Sequence, residues 1–270
     1  MLKRTLSGLV IVIITAAVLY YSYIPAVSMS TAAILCCCCV LELAHATGTL
    51  KNAIALIAAF LGSLVLCYFE FPGYFVLAGA ALIVSIPYFA FLMKNQRRVQ
   101  LHDTAAFLFL SIVAVVQLSA LPWLRSIPNG VHYLIIVIAE CFLTDVAAYL
   151  VGSRWGKRKL LPTVSPNKTI LGSAAGLVTA VVFCLFYGMA LQHFGAVHIS
   201  FIRLLSYSVI ANLLAQFGDL SMSVVKRITG IKDFSNLIPG HGGMLDRFDS
   251  HIFVLSFTYL FCRLTGGFIL

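Results

Sequence analysis

The sequence predicts an all-α, polytopic membrane protein: a bundle of about nine transmembrane helices with its N-terminus in the cytoplasm. Three observations carry this. First, 61% of the 270 residues are apolar and only 10% are charged, whereas a soluble domain carries roughly 25% charged residues. Second, apolar runs of spanning length, roughly 20 residues, recur along the whole chain. Third, the basic residues segregate to one side of the spans those runs define.

Taken in order, the runs lie near 6–24, 27–44, 52–69, 73–93, 104–124, 131–150, 170–192, 199–221 and 250–270. Proline, glycine or charge punctuates them: Pro25, Gly48 to Lys51, Glu70 with Pro72, Lys94 to Asp103, and Pro122 to Gly130. The first run follows Lys3 and Arg4 in the manner of a signal peptide, but the spans downstream favour a retained first helix. With nine spans and a cytoplasmic start, fifteen of the eighteen Lys and Arg fall inside, leaving Arg125, Arg203 and Arg263 outside. That asymmetry satisfies the positive-inside rule and makes the two long polar connections, 151–169 and 222–249, cytoplasmic. The expected organisation is an N-terminal transmembrane scaffold of about five helices over 1–130 and a C-terminal transmembrane domain over 131–270 that carries both cytoplasmic connections.

Eighteen basic against nine acidic side chains give a net charge of +9. This fits the bias of cytoplasmic loops and equally suits anionic partners such as lipid headgroups or nucleotides. All eight cysteines sit in apolar stretches, four of them consecutively at Cys36 to Cys39. They read as small buried hydrophobes rather than a zinc, redox or disulfide framework.

Six of the nine acids lie between Glu140 and Asp249. In the run 199–221 and its continuation, Asn212, Gln216, Asp219, Ser223 and Lys226 follow at steps of four, three, four and three, which places them on one helix face. Lipid cannot satisfy such a stripe, so it faces protein or a water-filled cavity. It is either a structural seam or part of a site, and Asp219 favours the site. Downstream, Gly240, Gly242 and Gly243 allow tight turns and close approach to a ligand. Asp246 and Asp249, three residues apart, would share a face of a following helix. Carboxylates with nearby oxygens suit Mg²⁺, and Lys226, Arg227, Lys232 and Arg247 supply cations for phosphates. A solvated, glycine-rich loop is the competing reading.

Residues 223–249, SVVKRITGIKDFSNLIPGHGGMLDRFD, resemble the signature of the phosphatidate cytidylyltransferases. Ser223, Lys226, Arg227, Lys232, Asp233, His241, Gly242, Gly243, Asp246, Arg247 and Asp249 occupy its defining positions. Upstream, Asp145, Ala148, Tyr149, Gly152 and Gly156-Lys157 resemble a second family segment. Ser165 to Thr169 resemble its S-P-x-K-[TS] element, and Gly218-Asp219-Leu220 its G-D-L. The resemblance covers about 140–250 with motifs; the first 130 residues match only as a set of spans. Two positions depart from the pattern, with Leu171 and Met222 standing where the family usually has Glu.

The resemblance implies conversion of CTP and phosphatidate to CDP-diacylglycerol and pyrophosphate, at the cytoplasmic face of the inner membrane. It implies Asp219, Asp246 and Asp249 as ligands of Mg²⁺, with K⁺ a candidate second cation. Lys226 would act with them in catalysis. Lys168, Ser223, Arg227, Lys232, His241, Gly242, Gly243 and Arg247 would bind substrate, supported by Asp145, Asn212 and Gln216. A homodimer within the membrane lipids is the expected assembly, and no nucleic acid is expected as a partner. The alternatives are a transporter with a polar path through Glu140, Asp145 and Asp219, and a CTP-dependent lipid kinase.

Local chemistry adds further expectations. Ser165 would cap a helix with Pro166 in its first turn, leaving Lys168 at the helix N-terminus. Gly172 and Gly176 would form a close-packing face. Glu42 and His45, three apart, would make a local pair. Glu140 has equal claims to a structural and a functional role. His102, His132, His193 and His198 need no special role.

Overall fold

The computed structural model describes residues 2–68, 101–195, 197–240 and 242–270. Helix dominates, as the apolar periodicity requires. The chain forms α1 (Leu2–Tyr21), α2 (Pro25–Ala46), α3 (Ala53–Tyr68), α4 (Leu101–Leu118), α5 (Ala120–Ser126), α6 (Gly130–Trp155), α7 (Ile170–Phe194), α8 (Phe201–Ile228) and α9 (Leu245–Thr265). Among the described residues, five helical stretches are long and apolar enough to cross a membrane: α2, Thr104–Ser126, α6, α7 and α8. The expected total of nine spans is not established by these, and the expected span 73–93 lies outside the described residues. Ile13, Phe109, Phe142, Val178 and Phe186 are each more than half exposed, the arrangement of a surface that meets lipid rather than water.

Two compact units are present: Met1–Ser126 with Ile228–Phe248, and Ile127–Arg227 with Asp249–Leu270. In the first, Pro25 opens α2 at a position that needs no amide donor, behind an extended Ile24. The helix ends where Gly48 takes a left-handed φ of +70°. A 3-10 turn, Thr49–Lys51, leads to Asn52, whose Oδ1 accepts from the Ala55 N–H at 3.2 Å and starts α3. The expected span 104–124 is divided at Ser119 into α4 and α5; the Ser119 hydroxyl donates to the Val116 carbonyl at 2.8 Å.

The second unit contains α6, α7 and α8, the body of α9, and a short β-hairpin. Lys159–Leu161 and Ser165–Thr169 pair as an antiparallel hairpin. This corrects the expectation that Ser165 caps a helix. Pro166 and its neighbours are extended, and α7 begins five residues later than Ser165, with Thr169 as its cap. The expected last span also shifts. Its helix starts at Leu245 and stops at Thr265, because Gly266 and Gly267 turn left-handed at φ +75° and +77°. The tail returns to pair Ile269 with Ile199. There the buried Tyr133 hydroxyl accepts from the Phe268 and Ile269 N–H groups, each at 3.2 Å.

Candidate active site

The polar stripe predicted along residues 212–226 is present on α8, buried at three positions and half-buried at Gln216 and Asp219. Asn212 is fully enclosed, and Ser223 and Lys226 are nearly so. Its inner half is a hydrogen-bonded seam. Asn212 donates to Thr144 of α6, Gln216 donates to Asn212 Oδ1 at 2.7 Å and to the Ser173 carbonyl at 3.2 Å, and the Ser173 hydroxyl donates back to Gln216. Lipid offers none of these partners, so the seam locks α6, α7 and α8 together.

The outer half carries charge. Lys168 forms an ion pair with Asp219, whose Oδ1 accepts from the Ser223 hydroxyl at 3.4 Å. Gly218, beside Asp219, explains how a second carboxylate comes near. A Cβ there would lie 2.5 Å from the Asp249 carbonyl oxygen and 3.1 Å from Phe253 Cδ2, so only glycine lets α8 pack so closely on α9. Asp249 lies in the turn of α9 ahead of the apolar stretch 250–270, and its Oδ1 accepts from the Ser250 N–H at 2.7 Å. Burial, and then the charge of Asp219, push its carboxyl up to about 8, with Lys226 opposing. Asp145, exposed on α6, adds to the same negative field.

Lys168 reaches this place because of the hairpin. Thr169 ends the second strand and accepts the Gly172 N–H at 3.1 Å, the cap that launches α7. Gly152, Gly156 and Gly172 all crowd the Thr169 side chain, so the two upstream segments of the resemblance meet in a glycine-lined joint. A Cβ on Gly172 would stand 2.5 Å from the Ala148 carbonyl, and one on Gly176 2.9 Å from that of Thr144. The predicted close-packing face is therefore the α6–α7 contact. Arg227 donates to the Val164 carbonyl at 3.2 Å, tying the end of α8 to the hairpin turn.

The rest of the signature belongs to the first unit. Asp246, in the first turn of α9, accepts through Oδ2 from the Phe234 N–H at 2.8 Å and the Gly243 N–H at 2.9 Å. Gly240 and Gly242 adopt φ of +79° and +83°, left-handed values that glycine takes without strain. Lys232 and Arg247 are exposed. His241 lies outside the described residues.

The expected Glu42–His45 pair is not formed. His45 is exposed, and the Glu42 carboxylate instead accepts from the Ser235 hydroxyl at 2.6 Å, the Met244 N–H at 2.8 Å and the Leu245 N–H at 2.7 Å. An acid inside an apolar run was the available signal; its partners lie about two hundred residues downstream. Glu140 is fully buried in α6, and neither of its carboxylate oxygens has a hydrogen-bond partner among the described residues. At the two departures from the family pattern, Leu171 is exposed in the first turn of α7 and Met222 is buried on α8.

Among the described residues no group of three or more His, Cys, Asp or Glu forms a metal cage. Asp219 and Asp249 make a pair instead. That is the donor set Mg²⁺ uses when substrate phosphates complete its shell, since it binds through one or two carboxylates and keeps several waters. Two neighbouring acids, one kept from ionising by burial and then by the charge of the other, fit a site that a divalent cation relieves.

A family model described as "Cytidylyltransferase family" matches residues 2–265. A phosphatidate cytidylyltransferase of Bacillus subtilis is 42% identical over 135 residues, covering 50% of this chain and 49% of the relative. The protein of that name from Staphylococcus aureus strain COL is 42% identical over 152 residues, 56% of each chain. Another, from Staphylococcus saprophyticus, is 39% identical over 151 residues, again 56% of each. The chain thus spans about half the length of the curated relatives it matches.

Proposed function

The chain belongs to the cytidylyltransferase family, and from that premise we infer that it is a membrane-embedded phosphatidate cytidylyltransferase, making CDP-diacylglycerol and pyrophosphate from CTP and phosphatidate. The observation that carries the reading is the charge set of buried Ser223, Lys226 and Asp249 with half-buried Lys168 and Asp219, held by glycine-mediated packing in an otherwise apolar unit. An ion cluster so costly to bury needs a use, and nucleotide phosphates supply one.

In the reaction a phosphatidate phosphate oxygen attacks the α-phosphorus of CTP, a P–O bond forms, and the bond to the departing pyrophosphate breaks. A phosphate monoester is already largely ionised near neutral pH, so no strong base is required. The barrier is the approach of two polyanions, which fixed positive charge lowers. Lys226 and Lys168 neutralise phosphate oxygens, Lys168 exchanging its hold on Asp219 for substrate. The Ser223 hydroxyl donates to a phosphate oxygen. Arg227, Lys232 and Arg247, near the cytoplasmic surface, attract and hold the triphosphate, with the Gly242 and Gly243 backbone and His241 alongside.

Family membership implies a divalent cation in general. Asp219 and Asp249 would hold it as Mg²⁺; the expected third ligand, Asp246, is instead engaged with the Phe234 and Gly243 N–H groups. When bound, the cation neutralises the phosphates and the leaving group; K⁺ is the candidate for a second position. We place the site at the cytoplasmic face of the inner membrane, where CTP is soluble and phosphatidate enters laterally, in a homodimer.

The test is transfer of label from α-phosphate-labelled CTP to lipid, with purified protein, phosphatidate and Mg²⁺ and a metal-free control. Metal-dependent label in an extractable CDP-lipid is expected. Phosphorylated lipid with CDP as co-product, or no labelled lipid from folded protein with any divalent metal, would overturn the reading.

A further inference from the structure

A helix begins with backbone N–H groups that have no partner inside it. At the start of α9 two of them, on Met244 and Leu245, donate to a carboxylate from another helix, Glu42 of α2. Ser235 Oγ donates to the same group. A negative charge there also meets the positive end of the helix dipole. Glu42 is 5% exposed, and among the described residues no basic side chain is paired with it. Among those residues its charge is met by peptide N–H dipoles and one hydroxyl.

Asp246 works from the opposite side, gathering the Phe234 and Gly243 N–H groups on Oδ2. Two acids therefore pin the loop at both flanks: Glu42 holds residues 235, 244 and 245, and Asp246 holds 234 and 243. Gly243 is the residue that permits this. A Cβ there would lie 2.5 Å from Glu42 Oε1 and 2.7 Å from Oε2. The glycine pair of the signature thus owes its second member to a side chain outside the signature.

We propose that Glu42 is a positioning residue for nucleotidyl transfer: its carboxylate caps α9 from α2 and fixes the turn from which Asp246 and Asp249 project. This rests on the cytidylyltransferase reading above. Glu42 touches no reacting atom; it acts through the helix start. The charge and the reach both matter, because Glu42→Gln turns one acceptor into an NH₂ facing backbone donors, while Glu42→Asp keeps the charge but withdraws it by one methylene.

The experiment uses the full chain, purified in detergent, and reads steady-state kinetics beside amide hydrogen exchange. For Glu42→Gln we expect kcat to fall about tenfold or more, the range for losing a hydrogen bond to a charged group. The half-saturating Mg²⁺ concentration should rise severalfold while KM for CTP stays within about twofold. Exchange at Met244 and Leu245 should quicken about tenfold, with α6, α7 and α8 unchanged. A purely structural contact would lower the folded fraction and leave kcat and Mg²⁺ dependence per folded molecule untouched, and that result overturns the proposal. So does faster exchange with wild-type kinetics. Should Glu42→Gln not fold, Ser235→Ala removes one donor only; a smaller shift of the same sign supports the proposal, and wild-type kinetics and exchange refute it. Wild-type protein that makes no CDP-lipid, yet shows the exchange difference, defeats the cytidylyl reading and leaves only a helix cap.

Discussion

Gly172→Ala sets two effects of opposite sign against each other. In a helix taken alone the change is favourable by about 1 kcal/mol, because alanine restricts the unfolded chain and glycine does not. In the folded protein the new Cβ would lie 2.5 Å from the Ala148 carbonyl oxygen, 3.0 Å from Thr169 Oγ1 and 3.1 Å from Gly152 Cα. Two of these are backbone atoms, and the threonine hydroxyl is held as the helix cap, so no simple rotation opens the space. An ordinary contact begins near 3.4 Å, so α6 and α7 must separate by about 0.9 Å. A gap of that size forfeits about a quarter to a half of the dispersion attraction along the seam. Overpacking of this kind costs about 1–3 kcal/mol, and loss of the Thr169 cap about 1 kcal/mol more. After the helical gain, the net is a destabilisation of about 1–3 kcal/mol. Denaturant titration of the purified protein in detergent, followed by circular dichroism, reads it. Because Lys168 precedes the cap, turnover should fall about tenfold as its ammonium loses Asp219. A variant more stable by about 1 kcal/mol, with full turnover, would refute the close α6–α7 contact and everything derived from it.

Gly243→Ala should drive the Glu42 carboxylate off the α9 N-terminus, lowering kcat about tenfold; in a Glu42→Gln background it should cost almost nothing further, and additive losses would break the link between the two residues. Glu140→Leu replaces two unpartnered carboxylate oxygens with an apolar side chain of similar size, so thermal unfolding should shift upward, by about 1 kcal/mol or more, with cytidylyl transfer retained; loss of transfer would give Glu140 a working role. The unfolded chain releases the Asp249 proton near the ordinary 3.8 and the folded chain near 8. Between those values the folded state binds more protons, so this group's contribution to stability falls as pH rises from about 4 to about 8. In divalent-free buffer Asp249→Asn should flatten that decline, and an unchanged slope from unfolding midpoints would show that the carboxyl does not titrate there.

The spans were legible because their signal is local: an apolar run of bilayer length announces a helix whatever it packs against. The α8 stripe was legible for the same reason, since helical periodicity alone puts Asn212, Gln216, Asp219, Ser223 and Lys226 on one face. The hairpin was not. Ser165-Pro166 satisfies the rules for a helix start and for an extended segment alike, and the pairing with 159–161 that decides between them is invisible until both strands are placed. Glu42 was misassigned for a related reason: its nearest polar neighbour in sequence is His45, while its actual partners lie across the fold.

By itself the sequence determined that this chain inhabits a membrane, which helices carry its charges, and which family signature it bears, because hydropathy, periodicity and motif are properties of neighbouring residues. Only the tertiary structure decided that Lys168 meets Asp219, that Gly218 brings α8 onto α9 beside Asp249, and that Glu42 rather than a local serine or threonine starts α9. Each of these is a contact between groups far apart in the chain. Burial in an apolar surround forces charges and amides to find partners, but the identity of the partner is fixed by how the helices pack.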